Sequence, residues 1–292
     1  MKRIIVSGAG GFLGSNIIRA ALAQGIPVTA VTSAEAVQPG VTALSTAEFL
    51  AAGASFGADD VFIHCLFPTN ADGPRMADGL QKVFRMIQMA HAGGVGAFVN
   101  ISSQSVYAAN RTAPAQETDP LCLATPYAVG KYSSEAFTDQ VFAGLPHTNI
   151  RLASLLGVGY DQRIVNRMAD QALRGDTLKV VGGMQRYGFL DVRDAAEALV
   201  KLSQSDPAKW QSVYNLGRNG SCTLIDVVQC IAAETERLTG KTVAYTVTEG
   251  QDDRNSEVDA ARFMRDFDWC ASYSLAQTAA HIIEDKLDKA ET

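Results

Sequence analysis

The chain predicts an α/β fold: a doubly wound parallel sheet with helices on both faces and a smaller C-terminal α/β lobe. Three observations carry that expectation. Strand-length apolar runs alternate with helix-length segments through the first two thirds of the 292 residues. The runs are apolar throughout rather than alternating, as in strands buried on both faces. The first run enters a glycine turn and leaves it as an amphipathic helix, over Ile4-Ile5-Val6-Ser7-Gly8-Ala9-Gly10-Gly11-Phe12-Leu13-Gly14.

Strands are expected at Arg3–Ser7, Val28–Thr32, Val41–Leu44, Val61–Cys65, Ala97–Ile101 and Asn149–Ala153. Helices are expected at Phe12–Gln24, Thr46–Ala52, Pro74–Ala92 and Pro126–Phe142. After about Leu156 the pattern changes. A polar helix (Asp161–Arg174) precedes short strands at Leu178–Val181, Tyr187–Leu190, Ser212–Leu216 and Thr242–Thr246. Helices Val192–Gln204, Thr223–Thr239 and Leu275–Asp288 lie between and after them. The reading divides the chain into a dinucleotide-binding domain over 1–156 and a substrate lobe over 157–292. Some segments of the second return to the first sheet.

Composition narrows the function class. The chain is 47% hydrophobic and 19% charged, with net charge -6 and no basic block. Nucleic-acid binding needs clustered Lys and Arg, so it is not expected. Cys65, Cys122, Cys222, Cys230 and Cys270 are scattered without a Cys-x-x-Cys pair, and there are four histidines. Neither a metal site nor a disulfide framework is expected, and a reducing compartment fits. The opening apolar run stops at Gly8, too short for a signal sequence, and no run is long enough for a membrane span. A cytoplasmic protein is the expectation.

The glycine turn presents helix N-terminal amides to a pyrophosphate. Gly8 permits the tight turn, Gly11 lets backbone approach phosphate, and Gly14 lets helix and sheet pack closely. Phe12 and Leu13 open that helix. Ligands of such sheets lie beyond the strand C-termini, near Gly8, Cys65–Pro68 and Ser102–Ser105.

Thr125-Pro126-Tyr127-Ala128-Val129-Gly130-Lys131 carries the most chemistry. Thr125 suits an N-cap and Pro126 a first helical position. Tyr127 and Lys131 then share a helix face. A nearby ammonium and the positive helix end both favour phenolate. A downward shift of about three pH units, worth about 4 kcal/mol, would make Tyr127 a usable acid or base. Serines at the end of the strand Phe98-Val99-Asn100-Ile101 can hydrogen-bond a reacting oxygen.

Together these motifs resemble the extended branch of the short-chain dehydrogenase/reductase superfamily, the NAD-dependent epimerase/dehydratase family. Ser7-Gly8-x-x-Gly11-x-x-Gly14 resembles its cofactor turn, and Tyr127 with Lys131 its Tyr-x-x-x-Lys. Ser103 falls where the family keeps a catalytic Ser or Thr. Glu117-Thr118-Asp119-Pro120, Glu135, the stretch Arg151 to Gly157, Phe189 to Asp194, and Tyr214-Asn215-Leu216-Gly217 match as well.

The resemblance implies a Rossmann-type fold and an alcohol/carbonyl interconversion by hydride transfer, on a sugar or nucleotide-sugar derivative. Tyr127 would move the hydroxyl proton, Lys131 would hold the nicotinamide ribose and lower the Tyr127 pKa, and Ser103 would orient the substrate oxygen. Gly8, Gly11, Phe12, Leu13, Gly14, Thr32, Cys65 and Leu66 would complete the cofactor contacts. Gln104 and Ser154 join the expected substrate contacts. Arg186, Tyr187 and Arg254 could grip a phosphate or carboxylate, or be surface charge and aromatic packing. The resemblance also implies a homodimer.

The chain departs from the family in places. Thr32 stands where NAD-specific members carry an acid, and no Arg or Lys lies between Val31 and Gly40 to attract a 2′-phosphate. The cofactor is NAD or NADP, with a lean to NADP. Cys65-Leu66-Phe67-Pro68 replaces a small Ala-Ala pair and predicts a narrower or more apolar site. Gln104-Ser105 replaces the Asp-Glu of 4,6-dehydratases and argues against dehydration. Ser154 and Glu249 depart from the epimerase pattern. The alternatives are a net NADP-dependent reductase of a small non-sugar carbonyl, or a non-catalytic dinucleotide-binding sensor.

Overall fold

The apolar runs of the first half become strands. The structure is a computed structural model and describes residues 2–34, 37–68 and 72–291. In order come β1 (Ile4–Ser7), α1 (Phe12–Ala23), β2 (Val28–Thr32), β3 (Val41–Ser45), α2 (Thr46–Ala52) and β4 (Val61–His64). Then follow α3 (Gly73–Ala92), β5 (Ala97–Ser103), α4 (Pro126–Val141) and β6 (His147–Leu152). Side chains of β1 point alternately to two cores. Ile4 and Val6 join the one shared with α1, and Ile5 the one shared with α3.

The second part supplies β7 (Ser154–Leu156), α5 (Ile164–Leu173), β8 (Leu178–Val181), β9 (Arg186–Tyr187), β10 (Phe189–Asp191) and α6 (Val192–Gln204). It continues with β11 (Val213–Leu216), β12 (Cys222–Thr223), α7 (Leu224–Thr239), β13 (Tyr245–Thr248), α8 (Ala261–Phe267) and α9 (Leu275–Glu291). β11 pairs in parallel with β6, and α6 packs on α1. The main sheet thus runs β11-β6-β5-β4-β1-β2-β3, all parallel. Its order reverses between β1 and β4, so the ends of those strands flank a crevice. A third core gathers α5, α7 and α9 around Val165, Ile231 and Ile282.

Two second-part strands differ from expectation. The run Tyr187–Leu190 breaks into β9 and β10 at Gly188, where a Cβ would stand 2.9 Å from Glu257 Cα. The strand expected at Thr242–Thr246 lies at Tyr245–Thr248, in parallel register with Leu178–Val181. Val243 instead points into the third core. Among the described residues no helix is long and apolar enough to cross a membrane.

Candidate active site

The turn after β1 shows why glycine is needed there. Gly8 has φ +66°, and a Cβ on it would meet Leu66 N at 2.8 Å. A Cβ on Gly14 would stand 2.3 Å from Gly8 O, so helix α1 starts as close to the turn as backbone permits. Gly11, at the N-cap, gives no side-chain hydrogen bond. The first-turn amides are left without a side-chain partner at the positive helix end, a setting that fits a pyrophosphate.

Thr125 caps α4 by accepting from Ala128 N at 3.1 Å. This fixes Tyr127 in the first turn and Lys131 one turn further. The Tyr127 phenol faces the Ser103 hydroxyl at the end of β5. Ser103 Oγ accepts from Ser105 N and Ser105 Oγ at 3.2 and 3.0 Å. Lys131 Nζ donates to Ile101 O at 2.7 Å and lies 3.8 Å from the Phe67 ring centroid. The Phe67 ring packs perpendicular to Tyr127, with centroids 5.5 Å apart.

Electrostatics follow from burial. Burial pushes the Tyr127 phenol up, while the Ser103 hydroxyl and the Arg163 guanidinium pull it down. This corrects the expected downward shift driven by Lys131. The ammonium is spent on Ile101 and Phe67, and the phenol has lost water. Burial lowers Lys131 to about 7, against the opposing pull of Cys65 and Glu135. Burial raises the Cys65 thiol to about 12 and lowers His64 to about 3. His64 Nδ1 shares a 2.7 Å hydrogen bond with Ser7 beneath the turn.

A buried network braces this wall from behind. Glu135, one turn beyond Lys131, accepts from Ser102 Oγ. Its carboxylate also takes Arg151 Nη2 at 2.8 Å, with both side chains under a tenth exposed. Arg151 Nη1 donates to Tyr107 Oη at 3.0 Å, and Tyr107 donates to Asn215 Oδ1 at 2.8 Å. The chain of bonds ties α4 and β5 to β6 and β11.

A cavity of about 820 Å³ joins the turn to the Tyr127 wall. Gly8, Gly11, Phe12, Leu13, Gly14 and Cys65 line it at the glycine turn. Ser103, Gln104, Tyr127, Lys131 and Ser154 line it at the Tyr127 wall. Five expected residues stand outside that lining. Thr32 is buried beside Gly10, with Oγ1 accepting from Ala34 N at 3.1 Å. Leu66 packs into the core behind α3. Arg186 ion-pairs with buried Glu257 at 2.6 Å, and Tyr187 stacks on Phe189 at 5.0 Å. Arg254 is paired with Asp252.

Sequence reasoning missed Phe67 as a contact of Tyr127 and Lys131, and it missed the loop 158–163. Tyr160 packs tilted against Phe12 with centroids 4.4 Å apart, and Arg163 lies over Tyr160 at 4.6 Å. Gln162 also lines the cavity. The expected helix Asp161–Arg174 hid this loop, because α5 starts only at Ile164. A signal was present: Gly157 and Gly159, both at positive φ, precede an aromatic and an arginine just beyond a strand end. Among the described residues no group of three His, Cys, Asp or Glu is placed to hold a metal ion.

The family model for the NAD dependent epimerase/dehydratase family matches residues 4–217. The chain belongs to that family. Its match runs from β1 through β11, so it takes in the whole main sheet and the Tyr127 wall. Among curated members, a dTDP-glucose 4,6-dehydratase of Xanthomonas campestris is 26% identical over 200 residues, 64% of this chain. The match spans 56% of that relative's own length. A dTDP-4-dehydro-6-deoxy-D-allose reductase of Streptomyces bikiniensis is 23% identical, over 81% of this chain and 83% of its own.

Proteins of known structure share the fold. A UDP-glucose 4-epimerase of Thermotoga maritima, solved with UDP-glucose, superposes with TM-score 0.80 at 19% identity over 99% of both chains. A Thermus thermophilus UDP-glucose 4-epimerase complex with NAD gives TM-score 0.77 at 19% identity, over 96% of this chain and 98% of that one. The lean to NADP gains no support: the Thr32 hydroxyl is already engaged by backbone, and the sequence supplies no cation beside it.

Proposed function

We propose that the protein interconverts an alcohol and a carbonyl on a nucleotide sugar, using a bound nicotinamide dinucleotide, NAD in the leading reading. The observation that carries this is the convergence of the Tyr127 phenol, the Ser103 hydroxyl and the Lys131 ammonium in the cavity that opens on the glycine turn. Such a cofactor, when bound, accepts or gives the hydride. Gly11, Phe12 and the first amides of α1 would hold its pyrophosphate. Lys131 has three donor hydrogens. One goes to Ile101, which leaves others for a ribose hydroxyl.

Tyr127 is the acid/base in this reading. In reduction the phenol, which burial keeps protonated, gives its proton to the carbonyl oxygen, and in oxidation the phenolate takes that proton back from the substrate hydroxyl. Ser103 holds the reacting oxygen at hydrogen-bond distance from that phenol. Gln104 and Ser154 line the sugar end of the cavity, but Gln104 Oε1 already accepts from Arg111 Nη2 at 2.9 Å. No carboxylate pair stands at 104 and 105, so the reading is oxidation and reduction rather than loss of water. Arg186 leaves 56% of its side chain exposed and can meet the phosphate end of a long substrate. The reading includes a homodimer through α3 and α4, where Val129 and Tyr132 are exposed, and light scattering tests it.

The experiment is turnover of dTDP-glucose, UDP-glucose and UDP-glucuronic acid with added NAD or NADP, followed by product NMR. Tyr127→Phe should lower kcat by about 10²–10⁴-fold while cofactor binding by calorimetry is kept. Unchanged kcat in that variant removes Tyr127 from the chemistry. Cofactor binding without turnover on any substrate favours a sensor.

A further inference from the structure

A buried ammonium needs a counter-charge or another source of attraction. Lys131 is 5% exposed and forms no ion pair among the described residues. The carboxylate on its own helix, Glu135, is committed to Arg151 and Ser102. What faces Nζ instead is the Phe67 ring, at 3.8 Å from its centroid and well inside cation–π range.

The ring is fitted into place. Gly130 sits inside α4 between the two active-site residues, although glycine weakens a helix interior by about 1 kcal/mol. A Cβ there would stand 3.2 Å from Phe67 Cζ and 3.0 Å from Met76 Sδ. The glycine makes the notch that admits the aromatic tip. The same ring lies perpendicular to Tyr127. One side chain therefore touches both members of the pair.

We propose that Phe67 is the positioning residue of this site: its ring face holds the Lys131 ammonium beside Ile101, and its packing in the Gly130 notch fixes the spacing of Lys131 and Tyr127. The proposal rests on the Tyr127–Lys131 reading of the active site, but its test needs neither cofactor nor turnover. Phe67 acts on Lys131 in two opposed ways. Its π-face favours the charged amine, and its bulk excludes the water that would favour it more. The other titratable groups about Lys131 are His64 and Cys65 from the end of β4, and Tyr127 and Glu135 from its own helix. Arg151 reaches it only through Glu135.

Lysine labelled with ¹³C at Cε reports the Lys131 titration directly by NMR, and Lys131→Met identifies its signal. The wild-type signal should titrate near pH 7. Phe67→Leu keeps the site dry but removes the π-face, so the midpoint should fall by about half a pH unit or more. Phe67→Ala admits water, so the midpoint should rise by about one pH unit or more. Thermal melts report whether each variant is folded, and the Leu variant alone decides the sign if the Ala variant is not. The same midpoint in wild type and Phe67→Leu overturns the proposal, as does a rise in the Leu variant. Failure of turnover elsewhere leaves this titration intact, so the two readings fail separately.

Discussion

Two cations are buried in one wall of the cleft, and they are treated in opposite ways. Arg151 meets a carboxylate, a phenol and a backbone carbonyl. Lys131 meets one carbonyl and an aromatic face. The Glu135 pair raises the Arg151 pKa out of the accessible range despite burial, whereas burial lowers Lys131 to about 7. The contrast separates scaffold from chemistry. A fully paired charge is locked, while an unpaired one can change its protonation and donate to a ligand.

The largest expected effect is on the locked pair. Arg151→Met leaves the Glu135 carboxylate buried with only Ser102, and should cost about 3–5 kcal/mol in urea unfolding at pH 7. Replacing both partners, Glu135→Leu with Arg151→Met, should recover most of that loss, because the uncompensated charge is then gone. A loss below about 1 kcal/mol in the single variant would show that the pair is hydrated and the contrast false.

The unpaired cation should betray itself through pH. Its folded pKa lies below the unfolded value of 10.5, so the unfolded chain binds more protons between the two. Stability from this group therefore rises with pH through that window. From pH 7 to 8.5, wild type should gain roughly 1–2 kcal/mol relative to Lys131→Met. Subtracting the variant's own pH dependence cancels the raised thiols and phenols. Parallel curves for the two proteins would mean that Lys131 keeps an ordinary pKa.

This contrast also marks how far sequence reaches. The parallel sheet, the glycine turn, α4 and its Tyr127–Lys131 spacing were legible, because each follows from local pattern: apolar runs, a cap, a helical repeat. The partners were not. Lys131 against Phe67 joins helix α4 to the segment after β4, and nothing local to residues 64–68 announces an aromatic face for a cation. The bulk at 65–68 suggests a narrower or more apolar site, but it does not name a lysine as the partner. Strand β7, three residues long, exists only because β10 lies beside it. The Tyr127 pKa was misjudged for the same reason. Spacing shows that two groups share a helix face, but burial and competing partners depend on the tertiary fold.

The smallest effect tests a third cation, one at the surface. Lys286 on α9 bridges Asp161 and Asp170 at 2.9 and 2.8 Å, and the Asp161 side chain is 69% exposed. With water on one side, the pair should resemble other surface ion pairs. Lys286→Met is then expected to cost about 0.5–1 kcal/mol, and the difference should shrink in about 1 M salt, where the screening length is near 3 Å. Asp161 belongs to the loop that brings Tyr160, Gln162 and Arg163 to the cavity. Hydrogen exchange over residues 158–163 should therefore quicken in the variant while the amides of β5 and α4 exchange as before. If β5 or α4 loosens too, the surface pair is coupled to the buried wall, and the three cations form one network rather than three separate solutions to burying charge.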